Sequence, residues 1–205
     1  MIRFSALAVF TLLASAASAQ ADLLVPSVYL APEYTAPDGA PSSIVVAGTD
    51  EPGERLIVTG RVLHGSTPVV GASIFVFQTD VNGNYAPGLK TPEAELHPRL
   101  HGALRTDTAG QYQYETVRPG SYDGNAAHVH YIVSAPGYKP RLFDLWFQDD
   151  PILVERREAG EPQLPQGMRN NNYFLAGPDF IAIRPVVRDA SGTWHAVRDL
   201  DMISE

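Results

Sequence analysis

From Arg55 onward the apolar residues of this chain come in short runs rich in Val, Ile, Phe and Tyr, broken by Gly, Pro and Asp-x-x-Gly turns. Runs of that length with that punctuation predict strands. The candidates are residues 55–63, 72–79, 111–116, 128–134 and 142–147, with a long segment, 80–103, between the second and the third. Residues 180–187 and 193–199, joined across Asp189-Ala190-Ser191-Gly192, predict a final hairpin. Residues 155–172 are polar and read as loop, and no internal repeat is present. Seventeen prolines and seventeen glycines disfavour long helices. The expected fold is therefore all-β: an antiparallel β-sandwich over residues 53–205 with long loops. Ahead of it, residues 20–52 are rich in Pro, Ala, Ser and Gly and predict an extended N-terminal arm.

Composition narrows the chemistry. Arg3, the apolar stretch 6–13 and Ala17-Ser18-Ala19 form a secretory signal peptide, residues 1–19, which predicts cleavage after Ala19 and an exported protein, periplasmic or secreted. That apolar stretch is too short to span a membrane. The net charge of −8 disfavours nucleic acid or an anionic membrane as partner. There is no cysteine, so disulfides and thiolate metal sites are excluded.

The candidate chemistry lies in His128-Val129-His130. On a strand, side chains two apart share a face, which places both imidazoles about 6.5–7 Å apart along the backbone, converging on one ion. Tyr122 precedes them in a Pro119-Gly120-Ser121-Tyr122 turn, and Tyr85 ends Asp80-Val81-Asn82-Gly83-Asn84-Tyr85. Two phenols and two imidazoles suit a hard, high-valent metal. Phenols ionise near pH 10 in water, so at neutral pH they need a strong Lewis acid beside them. Two phenolates with a hydroxide would neutralise a 3+ ion in a buried site. A plainer reading exists for each residue: Tyr85 and Tyr122 could cover turns, and Pro119-Gly120-x-Tyr122 also suits a metal-free transthyretin-like sandwich. Two inward histidines on one strand weigh against it, because they would be desolvated without partners. His97 and His101 flank Pro98 in a loop-like stretch and read as surface residues, and His64 and His195 have no suitable partners in sequence.

Three ordered stretches carry a resemblance. They are residues 58–85, residues 105–122 with Thr106-Asp107-x-x-Gly110 and Pro119-Gly120-Ser121-Tyr122, and His128-x-His130 followed by Ser134-Ala135-Pro136-Gly137-Tyr138 and Leu145-Trp146-Phe147. Over residues 54–152 the chain resembles the intradiol ring-cleavage dioxygenases, and its short Tyr122–His128 interval is like that of their shorter, secreted members. The resemblance implies a transthyretin/prealbumin-like sandwich and an Fe(3+) cofactor bound by Tyr85, Tyr122, His128 and His130. It further implies a catechol-type substrate, dioxygen as co-substrate and a cis,cis-muconate-type product. By position Tyr122 corresponds to the displaceable axial ligand and His128 to the other axial group, with Tyr85 and His130 equatorial. Three positions depart from the family pattern: Asn125 stands where an arginine is usual, Asp144 where a glutamine is usual, and Phe77 where a tryptophan is usual. Asn125 and Asp144 are thus expected beside the substrate, with Arg105, Arg118 or Arg141 as candidate replacement cations. The alternatives are a metal-binding but catalytically weak or inactive relative, and a metal-free transthyretin-like binding module.

Overall fold

Alternating apolar residues close two sheets over one core. The computed structural model describes residues 25–87, 95–164 and 179–205. The candidate signal peptide and residues 165–172 of the expected loop lie outside the described residues. In chain order the elements are β1 (Ser43–Val45), β2 (Arg55–His64), β3 (Thr67–Pro68), β4 (Ser73–Gln78), β5 (Leu100–Arg105), β6 (Gln111–Val117) and β7 (His128–Ser134). Then follow β8 (Tyr138–Lys139), β9 (Arg141–Phe147), α1 (Pro151–Glu158), β10 (Ile181–Arg184), β11 (Val187–Arg188), β12 (Trp194–Val197), β13 (Leu200–Asp201) and β14 (Ile203–Ser204).

One sheet runs β1-β6-β2-β12-β11, with β3 and β13 also pairing β2, and the other runs β10-β9-β7-β4-β5. Leu56, Val58 and Val62 of β2 and Tyr112 and Tyr114 of β6 meet Ile74, Val76, Val129, Tyr131, Val133, Phe143 and Leu145 between the sheets. The second sheet is buried on both faces, so β4, β7 and β9 have no solvent-facing stripe. Its outer face, with Phe75, Phe77, Ile132 and Leu142, lies under Val25, Tyr29 and Tyr34 of the N-terminal arm. The arm is thus a cover over the face that carries His128 and His130.

The five strands expected up to residue 147 all form. Three features differ from expectation. The long 80–103 segment contains the start of β5, which pairs along all of β4. Residues 151–158 form a helix, so the expected loop at 155–172 begins later: Asp150 caps the helix by accepting from Ile152 N at 2.9 Å, and Pro151 occupies the first turn. The final hairpin is split. Its turn survives between β11 and β12, but β10 leaves for the other sheet and runs parallel to β9, with Ile181 opposite Asp144. Ile181 and Phe180 are drawn there by the apolar groups under the arm and around Trp146. Among the described residues, no helix is long and apolar enough to cross a membrane.

Candidate metal centre

Period-2 geometry puts His128 and His130 on the outer face of β7, with Phe77 of β4 beside His130 and with Trp146 and Asp144 of β9 opposite His128 and His130. Each imidazole lies flat on an aromatic ring: His130 on Phe77 at 4.7 Å and His128 on Trp146 at 5.1 Å between centroids. The rings are thereby fixed with their Nε2 atoms 3.0 Å apart.

The two tyrosines arrive on loops held together by glycines. The loop 80–85 and the loop 119–122 touch where a Cβ at Gly120 would overlap the Val81 carbonyl and lie 2.6 Å from Gly83 N. Gly83 itself needs a φ of +77° and would, with a Cβ, stand 2.5 Å from Ser121 O. Beyond this contact, Asp123 (φ 48°) and Gly124 (φ 76°) make a two-residue turn. It pairs Tyr122 with Asn125, whose N–H donates to Tyr122 O at 2.7 Å. Asp150 ties this loop to α1: its second oxygen accepts from Ala127 N at 2.9 Å and from Ser121 Oγ at 2.8 Å.

The result brings all four expected donors together. Tyr85 Oη lies 2.9 Å from Tyr122 Oη and 2.8 Å from His130 Nε2, and Tyr122 Oη lies 3.4 Å from His128 Nε2. Bonds from a first-row metal to N or O are about 2.0–2.2 Å, so neighbouring ligands on one ion sit about 2.8–3.5 Å apart. The spacing is that of a coordination shell.

Tautomers make the same point. His128 Nδ1 donates to Ala126 O at 2.6 Å, and His130 Nδ1 donates to Asp144 Oδ1 at 2.6 Å. Both Nε2 atoms therefore direct lone pairs into the cluster, an arrangement that requires a proton or a metal cation between them. Burial, and next the charge of His130, hold the His128 imidazole down at about 4. Burial also pulls on His130, but the charge and hydrogen bond of Asp144 outweigh it and hold that imidazole above its ordinary value. Burial, then Tyr122 and Glu95, push the Tyr85 phenol well above its usual range, so without a cation it stays protonated. The donor set fits a hard cation that supplies the missing positive charge.

Two expectations are corrected. Asp144 does not face an incoming ligand: it is buried behind His130, with its other oxygen 3.4 Å from Trp146 Nε1. The three candidate replacement arginines are committed elsewhere. Arg105 binds the carbonyls of Ala36, Pro37 and Gly71, Arg118 pairs with Asp149, and Arg141 pairs with Asp179. Asn125 sits partly exposed at the end of the Tyr122 turn. His97 and His101 are both exposed, as expected, and His101, the second residue of β5, stacks on Phe75. Sequence reasoning missed Glu95, whose Oε1 is 4.0 Å from His130 Nε2 and accepts from Tyr29 Oη at 3.1 Å. No sequence signal marked it, since the arm that positions it is distant in the chain. Asp150 was also missed, although Asp150-Pro151 is a recognisable helix start.

A family model described as "Dioxygenase" matches residues 30–164, which include all four donors. The protocatechuate 3,4-dioxygenase beta chain of Burkholderia cepacia is 34% identical over 140 residues, 60% of each chain. This chain belongs to the intradiol ring-cleavage dioxygenase family. Chlorocatechol 1,2-dioxygenase of Rhodococcus opacus is 30% identical over 138 residues, 56% of this chain and 51% of the relative. The chain thus spans between half and three-fifths of the length of these curated relatives. Among solved structures, the dioxygenase domain of a carbohydrate-binding fusion from Streptomyces sp. SirexAA-E superposes with a TM-score of 0.56 at 22% identity, covering 82% of this chain and 92% of that one. Catechol 1,2-dioxygenase of Acinetobacter sp. ADP1 gives 0.56 at 18% identity, covering 81% and 59%. These likenesses show that the β-sandwich is shared. The intradiol family is iron-dependent.

Proposed function

We propose that this chain is an exported iron(III) dioxygenase that opens a catechol-type ring between its two hydroxyls, giving a cis,cis-muconate-type product. One observation carries the reading: two imidazole lone pairs and two phenols converge within 2.8–3.4 Å on the buried face of one sheet. Tyr85, Tyr122, His128 and His130 would hold the iron, which supplies the Lewis acidity that ionises bound phenols and makes the catechol ring reactive toward dioxygen.

The protein's own residues account for the rest. Tyr122 is the one donor of the four that is only partly buried, whereas Tyr85, His128 and His130 are buried. Tyr122 is therefore the ligand suited to yield its place to a substrate oxygen, and its phenolate Oη is the base that takes a catechol proton. Tyr85 and His130, 2.8 Å from each other, with His130 stacked on Phe77 and the Tyr85 ring tilted against it, keep their positions. Asp144 keeps the His130 proton on Nδ1. The arm and Phe180 exclude water from the outer face.

Oxygen uptake by the iron-loaded protein with catechol, together with identification of a ring-opened dicarboxylic acid, tests the reading. Iron-loaded protein that consumes no oxygen with any of a panel of catechols would leave a metal-binding relative without ring-cleaving activity. That second reading is favoured by Asn125 and by the commitment of Arg105, Arg118 and Arg141 to other partners. Export is tested by N-terminal sequencing of secreted material, which should begin at Gln20.

A further inference from the structure

Among the described residues, the charged groups nearest the ligand cluster are carboxylates. Asp144 lies behind His130, and Glu95 lies before it, 4.0 Å from the Nε2 that faces the cluster. Arg156, the cation beside the Tyr122 turn, is engaged by the carbonyls of Gly124 and Gln163.

Glu95 also lies on the more open side of the cluster. Tyr85, His128 and His130 are 2%, 3% and 8% exposed, so the cluster is closed on their side. The Glu95 side chain keeps 28% of its surface, and Tyr122 is likewise partly open. Among the described residues, these two groups beside the donors keep open surface. The Tyr29 hydroxyl, brought in by the arm, donates to Glu95 Oε1 at 3.1 Å, and Tyr34 Oη donates to the next residue's carbonyl, Leu96 O, at 2.7 Å. The first contact holds the carboxylate beside the cluster, and the second holds the backbone that follows it.

We propose that Glu95 makes this centre select catechol-type rings bearing a cationic substituent, such as an aminoethyl group, over rings bearing a carboxylate. The inference rests on the iron-dioxygenase reading above and names its substrate class. A catechol held at the cluster by its two oxygens would extend its substituted edge toward this open side. A unit charge within about 8 Å of the Glu95 carboxylate, at an effective dielectric near 20, shifts a binding equilibrium by a factor of about 30. Partial exposure of Glu95 and salt reduce this to roughly tenfold.

The test is anaerobic binding to iron-loaded protein, read as the change in its visible band, with 4-(2-aminoethyl)catechol, catechol and 3,4-dihydroxybenzoate. It is run on wild type, Glu95→Gln, Tyr29→Phe and Asp144→Asn. The ratio of affinities for the cationic and the carboxylated ring is compared between proteins, which cancels the differing acidities of the catechols. The ratio should fall about tenfold or more in Glu95→Gln and by less in Tyr29→Phe, and it should change least in Asp144→Asn, whose carboxylate lies on the far side of the His130 ring from the metal-facing Nε2. An unchanged ratio in Glu95→Gln, or an equal fall in Asp144→Asn, overturns the proposal. If the wild-type protein takes up no iron, the iron reading fails and this inference fails with it. If it binds iron but ranks the carboxylated ring first, this inference alone fails. Iron content and the ligand-free band of each variant show whether the centre is intact.

Discussion

Asp144 and His130 face each other across β7 and β9, and Oδ1 of the aspartate lies 2.6 Å from Nδ1 of the histidine. A buried carboxylate behind a metal-binding imidazole fixes its tautomer and strengthens it as a donor. Asp144→Asn should lower iron affinity by about 10–100-fold. It should also move the tyrosinate-to-iron band to longer wavelength, because a weaker imidazole donor leaves the metal more electron-poor. A competing chelator and a visible spectrum measure both. A band and affinity equal to wild type would mean that Asp144 only fills space.

Gly120 makes a second, less obvious contribution to the centre. A methyl group there would overlap the Val81 carbonyl and crowd Gly83 N at 2.6 Å, forcing apart the loops that carry Tyr85 and Tyr122. Gly120→Ala should destabilise the protein by about 1–3 kcal/mol, as overpacking does, and reduce iron content although no ligand has changed. Urea denaturation and metal analysis decide this, and a variant with wild-type stability and full iron would contradict it.

Much of this was legible in the sequence, and the limits have physical causes. The five strands up to residue 147 could be read because each alternates or runs apolar over a length that only a strand explains, and His128-x-His130 sits on one of them. Convergence of Tyr85 and Tyr122 on that face followed from ligand chemistry, not from local pattern. Asp144 was misjudged because a one-dimensional position gives the strand but not which neighbour its side chain meets; the register with His130 decides that. Ile181–Arg184 was assigned to a hairpin by its turn residues, yet tertiary burial beside Trp146 outweighed the local signal. Glu95 depends on a contact with Tyr29 sixty-six residues away, which no local rule reveals.

Acid should weaken the metal-free protein through His128. Its imidazole is held at about 4 in the folded state, by burial first and then by His130, against an ordinary 6.5 when unfolded. A depressed value means that the contribution is complete above pH 6.5 and is lost as pH falls toward 4, for about 3 kcal/mol in all. His130, held above its ordinary value, acts in the opposite direction: its contribution is present in acid and fades as pH rises. Urea midpoints of metal-free protein at pH 7 and pH 4.5 should therefore differ more for wild type than for His128→Gln. Equal pH dependence in the two proteins would contradict the assignment.

Asn125 offers a dipole at the end of the Tyr122 turn where the family pattern carries a cation. Asn125→Arg should raise turnover of unsubstituted catechol by up to one or two orders of magnitude, if it recovers part of the roughly 3–4 kcal/mol that one positioned donor supplies. Adding Asp144→Gln should not extend the gain, because Asp144 serves His130. Oxygen uptake in the order single variant above double variant is expected, and the reverse order would place Asp144 at the substrate after all.

The most direct test is metal analysis and a visible spectrum of protein supplied with ferric iron, beside His130→Ala. One iron per chain is expected, with a tyrosinate charge-transfer band. His130→Ala should lose both, because the chain has no cysteine and, among the described residues, the nearby carboxylates Asp144 and Glu95 lie outside the four-donor shell. Tyr122→Phe should keep most of the iron while its colour changes. A wild-type protein that stays colourless, or a His130→Ala variant with full iron occupancy, would falsify the four-ligand centre.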